Sequence, residues 1–415
     1  MISVEEALSR ILAFFSVLEP EEKPILDALG QVVAGDIASG MDIPPYDNTA
    51  MDGYAVRAAD TAGASAEAPV TLRVIGELAA GYLFDGSVEP GTAVRIMTGA
   101  PMPAGADAVV PFEETDEQAG RSFGSFAKSR DSVGILKAAA PGANVRHAAE
   151  DVRVGQVIIP RGLVLHPAQI GVLASLGRAT VRVHRRPVVA ILSTGDEVRE
   201  PGAELRPGQI YDSNAYSIAA LVTACGGVPK RLGIAKDTVE ALTAKLREGL
   251  DADMLVTSAG VSRGDYDIVK DVLAKEGEID FWTVRMRPGK PLAFGAFASG
   301  GRRVPHIGLP GNPVSSMVSF ELFGRPAIFK MLGRSDWQRP SVRAIADEPI
   351  HNADERRVFA RAIVTMRDGR YHAALTGPQG SGILTSMAVA NALAVVPEDV
   401  PGIAAGEEVE ALLLD

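Results

Sequence analysis

A single cysteine, Cys225, stands in the 415 residues, so no internal disulfide can form and the chain suits a reducing cytoplasm. It closes a helical pattern just before Gly226-Gly227, where a packed core thiol is expected rather than a nucleophile. The six histidines, at 147, 166, 184, 306, 351 and 372, are scattered, and none has the H-x-x-x-H or C-x-x-C company of a zinc site. Positive charge is in deficit, with 41 Lys and Arg against 52 Asp and Glu, and the net charge of −11 argues against nucleic acid as a partner. No apolar run is long enough to span a bilayer. The opening MISVEEALSRILAFF is acidic and amphipathic, unlike a signal peptide. Internal repeats and low-complexity tracts are missing too. A hard cation held by carboxylates and phosphate oxygens stays open, in a globular chain long enough for several domains.

The helical and strand periodicities divide the chain. Ser3–Leu18 has helical spacing, and Glu21–Leu29 is expected to continue as a second helix. Pro44-Pro45 opens a stretch of short β-type runs (Val70–Ile75, Ala93–Met97, Ala108–Val110) that ends near Gly142. Gly155–Ile159 reads as a strand and Pro167–Leu176 as a helix stopped by Gly177. Between Arg186 and Leu332, apolar runs alternate with helical patterns, which predicts a mostly parallel α/β sheet. Beyond Gly333, the runs Val358–Thr365, Ala392–Val396 and Val409–Leu414 predict a small β-barrel or sandwich.

Within the α/β unit, three apolar runs end in loops that carry polar chemistry: STGDE (193–197), SAGVSRGDYD (258–267) and GLPGNPVSS (308–316). Ligands bind outside the carboxyl ends of such strands, so these loops should converge on one pocket. Asn312 and Pro313 supply an N-cap and an N1 proline for a long apolar helix, Val314–Leu332. A helix start of this kind attracts anions, and Ser315 and Ser316 add hydroxyls in its first turn; a tight entry into a core helix is the plainer reading. RMRPGKP (285–291) gathers Arg285, Arg287 and Lys290. It is no Walker loop, because Pro follows Gly289-Lys290, and a cationic cluster for a charged ligand competes with a solvated basic loop. Asp196, Glu197, Asp265 and Asp267 sit in strand-end loops, where carboxylates beside phosphates imply a bridging divalent cation. Asp237 fits a capping box ahead of Ala241–Leu250, and helix capping is its expected main task. In the N-terminal half, the segments around Asp52, Thr98, Arg146 and Asp151 read locally as turns or surface ion pairs. Near the C-terminus, GPQGSG (377–382) could touch a ligand or serve as a turn.

Taken together and in order, PPYDNTAMDGYAV, RIMTGAPMPAGADAVVP, NVRHAAED, ILSTGDEV, GQIYDSN, TSAGVSRGDYD, MRPGKPLAFG, GLPGNPVSS and GPQGSGILTSMAVANAL resemble the molybdopterin molybdenumtransferase family, bacterial MoeA and the gephyrin C-terminal region. The match spans nearly the whole chain. The N-terminal signatures separate this family from other proteins that share the α/β unit.

The resemblance implies an α/β and β multidomain chain. Its expected parts are a mixed N-terminal domain (1–40 with 143–180), an inserted β-rich domain (41–142), a molybdopterin-binding α/β domain (181–333) and a C-terminal β-barrel domain (334–415). It also implies a cytoplasmic homodimer. One subunit's α/β domain would face the other's N-terminal domains across the cleft. The implied reaction inserts molybdate into adenylylated molybdopterin, with Mg²⁺-assisted cleavage of the phosphoanhydride and release of AMP. Asp52, Glu197, Asp267 and Lys290 would be catalytic, with Glu197 and Asp267 at the metal. Thr98, Arg146, Asp151, Ser193, Thr194, Gly195, Asp237, Ser262, Arg287, Pro310, Asn312, Ser315 and Ser381 would bind the substrates. Asp52, Thr98, Arg146 and Asp151 would come from the partner subunit. Ala149 and Ala259 stand where the family favours glycine, and Arg287 replaces a lysine seen in some members. A non-catalytic molybdopterin-binding scaffold and a molybdopterin adenylyltransferase are the alternatives, and other cofactor-biosynthesis proteins are conceivable partners.

Overall fold

The computed structural model describes residues 1–117, 131–258, 272, 275 and 277–414. Met1–Gly35, Arg161–Ala174 and Arg178–Asp415 form one unit, and Asp36–Pro160 with Ser175–Gly177 form another.

The first unit holds a six-stranded sheet. Its elements in chain order are β1 (Val188–Thr194), α1 (Ser213–Ala224), β2 (Val228–Ala235), α2 (Val239–Glu248), β3 (Met254–Ser258), β4 (Gly277–Thr283), β5 (Pro291–Ser299), β6 (Arg302–Leu309) and α3 (Pro313–Ser319). Spatial order is β2-β1-β3-β6-β5-β4. The first four strands run parallel, and β5 turns back antiparallel between β6 and β4. Alternate β1 residues explain the layers. Val189 and Ile191 pack with α1 and α3 residues on one face (Ile218, Val222, Val314, Val318), while Ala190 and Leu192 meet Leu242 and Leu246 of α2 on the other. Each valine, leucine or isoleucine among them contributes roughly 1.5–3 kcal/mol when fully buried. The Arg185 guanidinium grips Asp253 through two 2.6 Å hydrogen bonds, and Asp253 also accepts the Val188 N–H at 2.9 Å, which fixes the entry of β1 beside β3.

Beyond the sheet, β7 (Ser341–Ala346), β8 (Arg357–Arg367), β9 (Arg370–Leu375), β10 (Ala392–Val396) and β11 (Glu408–Leu413) close into a barrel, ordered β8-β9-β7-β11-β10 with β10 pairing back to β8. Closure leaves no open edge in this ring. Alanines dominate its interior (Ala344, Ala360, Ala362, Ala394, Ala411), as a narrow barrel requires.

The second unit is built on a five-stranded sheet of Gly53–Val56, Val70–Leu78, Thr92–Ile96, Ala108–Pro111 and Ser132–Ile135. Gly53 is needed there, because a Cβ would stand 2.1 Å from the Val110 carbonyl oxygen. Arg95 is buried against Glu117, which also accepts the Tyr54 hydroxyl at 2.6 Å.

Two element expectations fail for local reasons. Pro20–Pro24 is a strand paired antiparallel with Thr180–His184, not the start of a helix. Pro24 would break the helical ladder, whereas a two-stranded ribbon tolerates it. The long helix after Asn312 is interrupted by a π turn at Phe320–Gly324 and resumes at Arg325–Met331. Pro326 donates no backbone hydrogen bond, and the wider turn just ahead of it absorbs the mismatch.

Candidate active-site cleft

The carboxyl ends of β1, β3 and β6 lie in register, with Ser193 beside Ser258 and Ser258 beside Leu309. The chain leaves β1 for β2 on one side and returns to β3 on the other, so a topological switch point falls here. A cleft of about 580 Å³ opens at that point. Ser193, Thr194, Glu197, Asp212, Asn214, Ser258, Asn312 and Gly382 are among its walls. Every lining residue belongs to the first unit.

Each wall has a local cause. Gly195 takes a φ of +135°, and a Cβ there would stand 2.5 Å from the Glu197 carboxylate, which folds back over it. Asp212 caps α1 by accepting the Ala215 N–H at 2.9 Å. From the same helix start, the Asn214 amide donates to Ser258 Oγ at 2.7 Å and to the Gly311 carbonyl at 2.8 Å, tying the end of β3 to the head of α3. Ser193 Oγ, Asp212 Oδ2, Asn214 Oδ1 and Ser316 Oγ are buried with no partner among the described residues. Orphaned polar atoms at a cleft call for ligand or water. Asp212 and Asn214 carried no individual expectation, although a capping Asp after a strand-like Ile-Tyr pair was a readable signal in GQIYDSN.

The N-cap of α2 is Thr238, whose hydroxyl accepts the Ala241 N–H at 3.2 Å, so Asp237 is not the capping residue. The helix begins one residue later than the capping-box spacing predicts. Asp237 instead meets the Glu197 loop, accepting the Asp196 N–H at 3.3 Å. Burial, then the charges of Asp196 and Glu197, push its pKa above the ordinary carboxylate value. Asn312 holds the N-cap position of α3 with Pro313 behind it, but its side chain makes no capping bond. The Val314 N–H donates to the Ser381 carbonyl at 3.1 Å, so this loop from the barrel closes over the helix start. Ser315, Ser316 and Pro310 are buried beside it.

Arg361, which sequence reasoning missed, holds that loop. Its guanidinium is buried on β8 and donates to Ser386 Oγ at 3.0 Å and to the Gly380 and Gln379 carbonyls at 2.9 and 3.2 Å. Arg287 and Lys290 do not line the cleft. The Met286–Arg287 pair adds to β8 as a short parallel strand, and the Arg287 charge acts on Asp354. Asp267 and Ser262, with Asp265 and Ala259, lie outside the described residues.

In the second unit, three N-terminal signatures interlock. Asp52 Oδ1 accepts both the Thr98 N–H at 2.6 Å and the Thr98 hydroxyl at 2.7 Å. Arg146 pairs across a ribbon with Asn48, and the Ala50 N–H reaches the Asn144 carbonyl at 2.9 Å. The Asp151 N–H donates to the Ile43 carbonyl at 3.0 Å. Asp52, Thr98, Arg146 and Asp151 are all exposed.

These features define a multidomain protein with a molybdopterin-binding type of α/β domain joined to a β-barrel. Residues 2–177 match the model of the MoeA N-terminal region (domain I and II), 190–330 that of the probable molybdopterin binding domain, and 343–414 that of the MoeA C-terminal region (domain IV). Molybdopterin molybdenumtransferase 2 of Mycobacterium tuberculosis is 39% identical over 99% of both chains. The molybdopterin molybdenumtransferase of a Nostoc species is 40% identical over 93% of this chain and 87% of its own. The solved molybdopterin biosynthesis MoeA protein from Pyrococcus horikosii superposes with a TM-score of 0.83 at 34% identity, covering 100% of this chain and 99% of that one. The chain belongs to the molybdopterin molybdenumtransferase family, transferases of molybdenum cofactor biosynthesis. Among the described residues, no helix is long and apolar enough to cross a membrane.

Proposed function

We propose that this chain inserts molybdate into adenylylated molybdopterin in the cytoplasm, releasing AMP and molybdenum cofactor. The observation that carries the reading is the cleft itself. Ser193 Oγ and Asn214 Oδ1, without partners among the described residues, line it at the switch point of the sheet together with Glu197, whose loop Asp237 meets. Hydroxyls, amide groups and the backbone of Thr194–Gly195 suit phosphate oxygens. Lys290 and Arg287, both exposed, would draw in the doubly charged molybdate and the pyrophosphate. In the overall reaction the anhydride P–O bond breaks, and the elements of water are divided between AMP and the cofactor phosphate.

The donor set fits Mg²⁺ bound with its substrate rather than in a protein cage. Among the described residues no three His, Cys, Asp or Glu side chains form a metal-holding group, yet the Asp237 carboxyl is raised by burial and by two neighbouring carboxylates whose charge a cation would relieve. Glu197 and Asp267 would hold the ion, which would neutralise charge on the leaving phosphate. Asp52, Thr98, Arg146 and Asp151 of a second copy would complete the site in a homodimer.

The test is AMP release from adenylylated molybdopterin, with and without molybdate and Mg²⁺. Release that depends on molybdate is expected. No release beyond the protein-free control would leave a binding scaffold, and ATP consumption without need of molybdate would make the chain an adenylyltransferase.

A further inference from the structure

A second cavity, of about 460 Å³, shares no lining residue with the cleft. It lies at the opposite end of α1, where Cys225 follows the helix, and three arginines wall it: Arg325, Arg334 and Arg339. Glu321 and Asp336 line it too, so the cavity sets three guanidinium groups against two carboxylates. Two of the arginines are matched. Arg334 holds Asp336 through contacts of 2.8 and 2.5 Å, and Arg339 holds Glu321 at 2.9 and 3.1 Å. Arg325 is only 6% exposed, and among the described residues no carboxylate bonds it directly, although the charges of Glu321 and Asp336 act on it. Its Nη1 donates to the Trp337 carbonyl at 2.6 Å, and its guanidinium lies 4.3 Å from the Phe329 ring centre. Arg334 lies 3.8 Å from that same centre.

A buried charge needs a counter-charge in direct contact, and a ring face, one carbonyl and two carboxylates already engaged by Arg334 and Arg339 replace it only in part. Burial first, then the like charge of Arg339, lowers the Arg325 pKa, with Glu321 opposing. Guanidinium forks match tetrahedral oxyanions in shape as well as sign. Cys225 adds no negative charge, since burial pushes its thiol up to about 12.

We propose that this cavity is an anion site, taking a doubly charged tetrahedral oxyanion on Arg325 with Arg334 and Arg339 beside it. The cavity has room for a free anion or for the terminal phosphate of a small molecule.

Trp337 reports on the site, because its carbonyl holds Arg325. In a full-length Trp282→Phe background, inorganic phosphate and AMP would each be titrated against Trp337 fluorescence. Saturable change with phosphate alone identifies a free oxyanion, and change with both admits phosphate esters. Asp336→Asn removes a competing carboxylate from an exposed position, and binding should tighten by about tenfold. Arg339→Gln should weaken it by a similar factor, and molybdate-dependent AMP release should stay unchanged in both. No saturable change with either anion, or identical binding in both variants, would overturn the proposal without touching the transferase reading.

Discussion

Asp237 is half-buried and faces a loop that already carries two carboxylates. Its folded pKa lies above the ordinary 3.8, so between those two values the folded chain binds more protons than the unfolded one. Stability from this group therefore falls as pH rises through that window and stays reduced above it. Asp237→Asn is expected to raise the melting temperature at neutral pH, with the gain fading as pH falls through the raised folded pKa toward 3.8 and absent below it. The same variant should slow AMP release. Thermal unfolding across pH, read beside the activity, checks both. A gain of equal size at every pH would mean the charge is irrelevant. The ambiguity at this residue has a simple origin. Asp237 and Thr238 are both good caps, and sequence spacing alone does not say which backbone turns first; the fold puts the cap on Thr238 and leaves Asp237 to accept the Asp196 N–H.

At the scale of elements, the loop Arg146–Asp151 contains a conflict between sequence and backbone. Ala149 takes a φ of +60°, the left-handed region that glycine adopts most readily. An L-residue there costs about 1–2 kcal/mol, whereas glycine's extra unfolded freedom costs about 0.5–1 kcal/mol, so strain outweighs entropy. Ala149→Gly should raise unfolding stability by roughly 0.5–1 kcal/mol, measured by denaturant titration. Unchanged or lower stability would show that the loop relaxes around the methyl group. The strand ends were legible because apolar runs stop at Ser193, Ser258 and Leu309, and the register aligns those stops. What could not be read were contacts made across long separations. Arg361 appears in sequence as one more residue of a strand, and only closure of the barrel brings it to the carbonyls of 378–380. The head of α3 reads in sequence as open to anions, but in the fold the Ser381 carbonyl occupies the Val314 N–H.

For the whole molecule, the distribution of candidate residues between the two units sets the decisive experiment. Glu197 and the cleft belong to one unit, and Asp52 with its Thr98 partner to the other. In a homodimer with a site shared between copies, one subunit contributes Asp267 and its partner Asp52. An Asp52→Ala subunit paired with an Asp267→Ala subunit then has one site with both lesions and one with neither. Differently tagged subunits, co-expressed and purified as the mixed species, should recover about half of the wild-type rate of AMP release per dimer. If each site is built within a single chain, every site in the mixed dimer carries one lesion. The mixture would then be as inactive as either parent. The two architectures predict opposite outcomes from the same sample, and circular dichroism of the parent variants guards against unfolding as the cause.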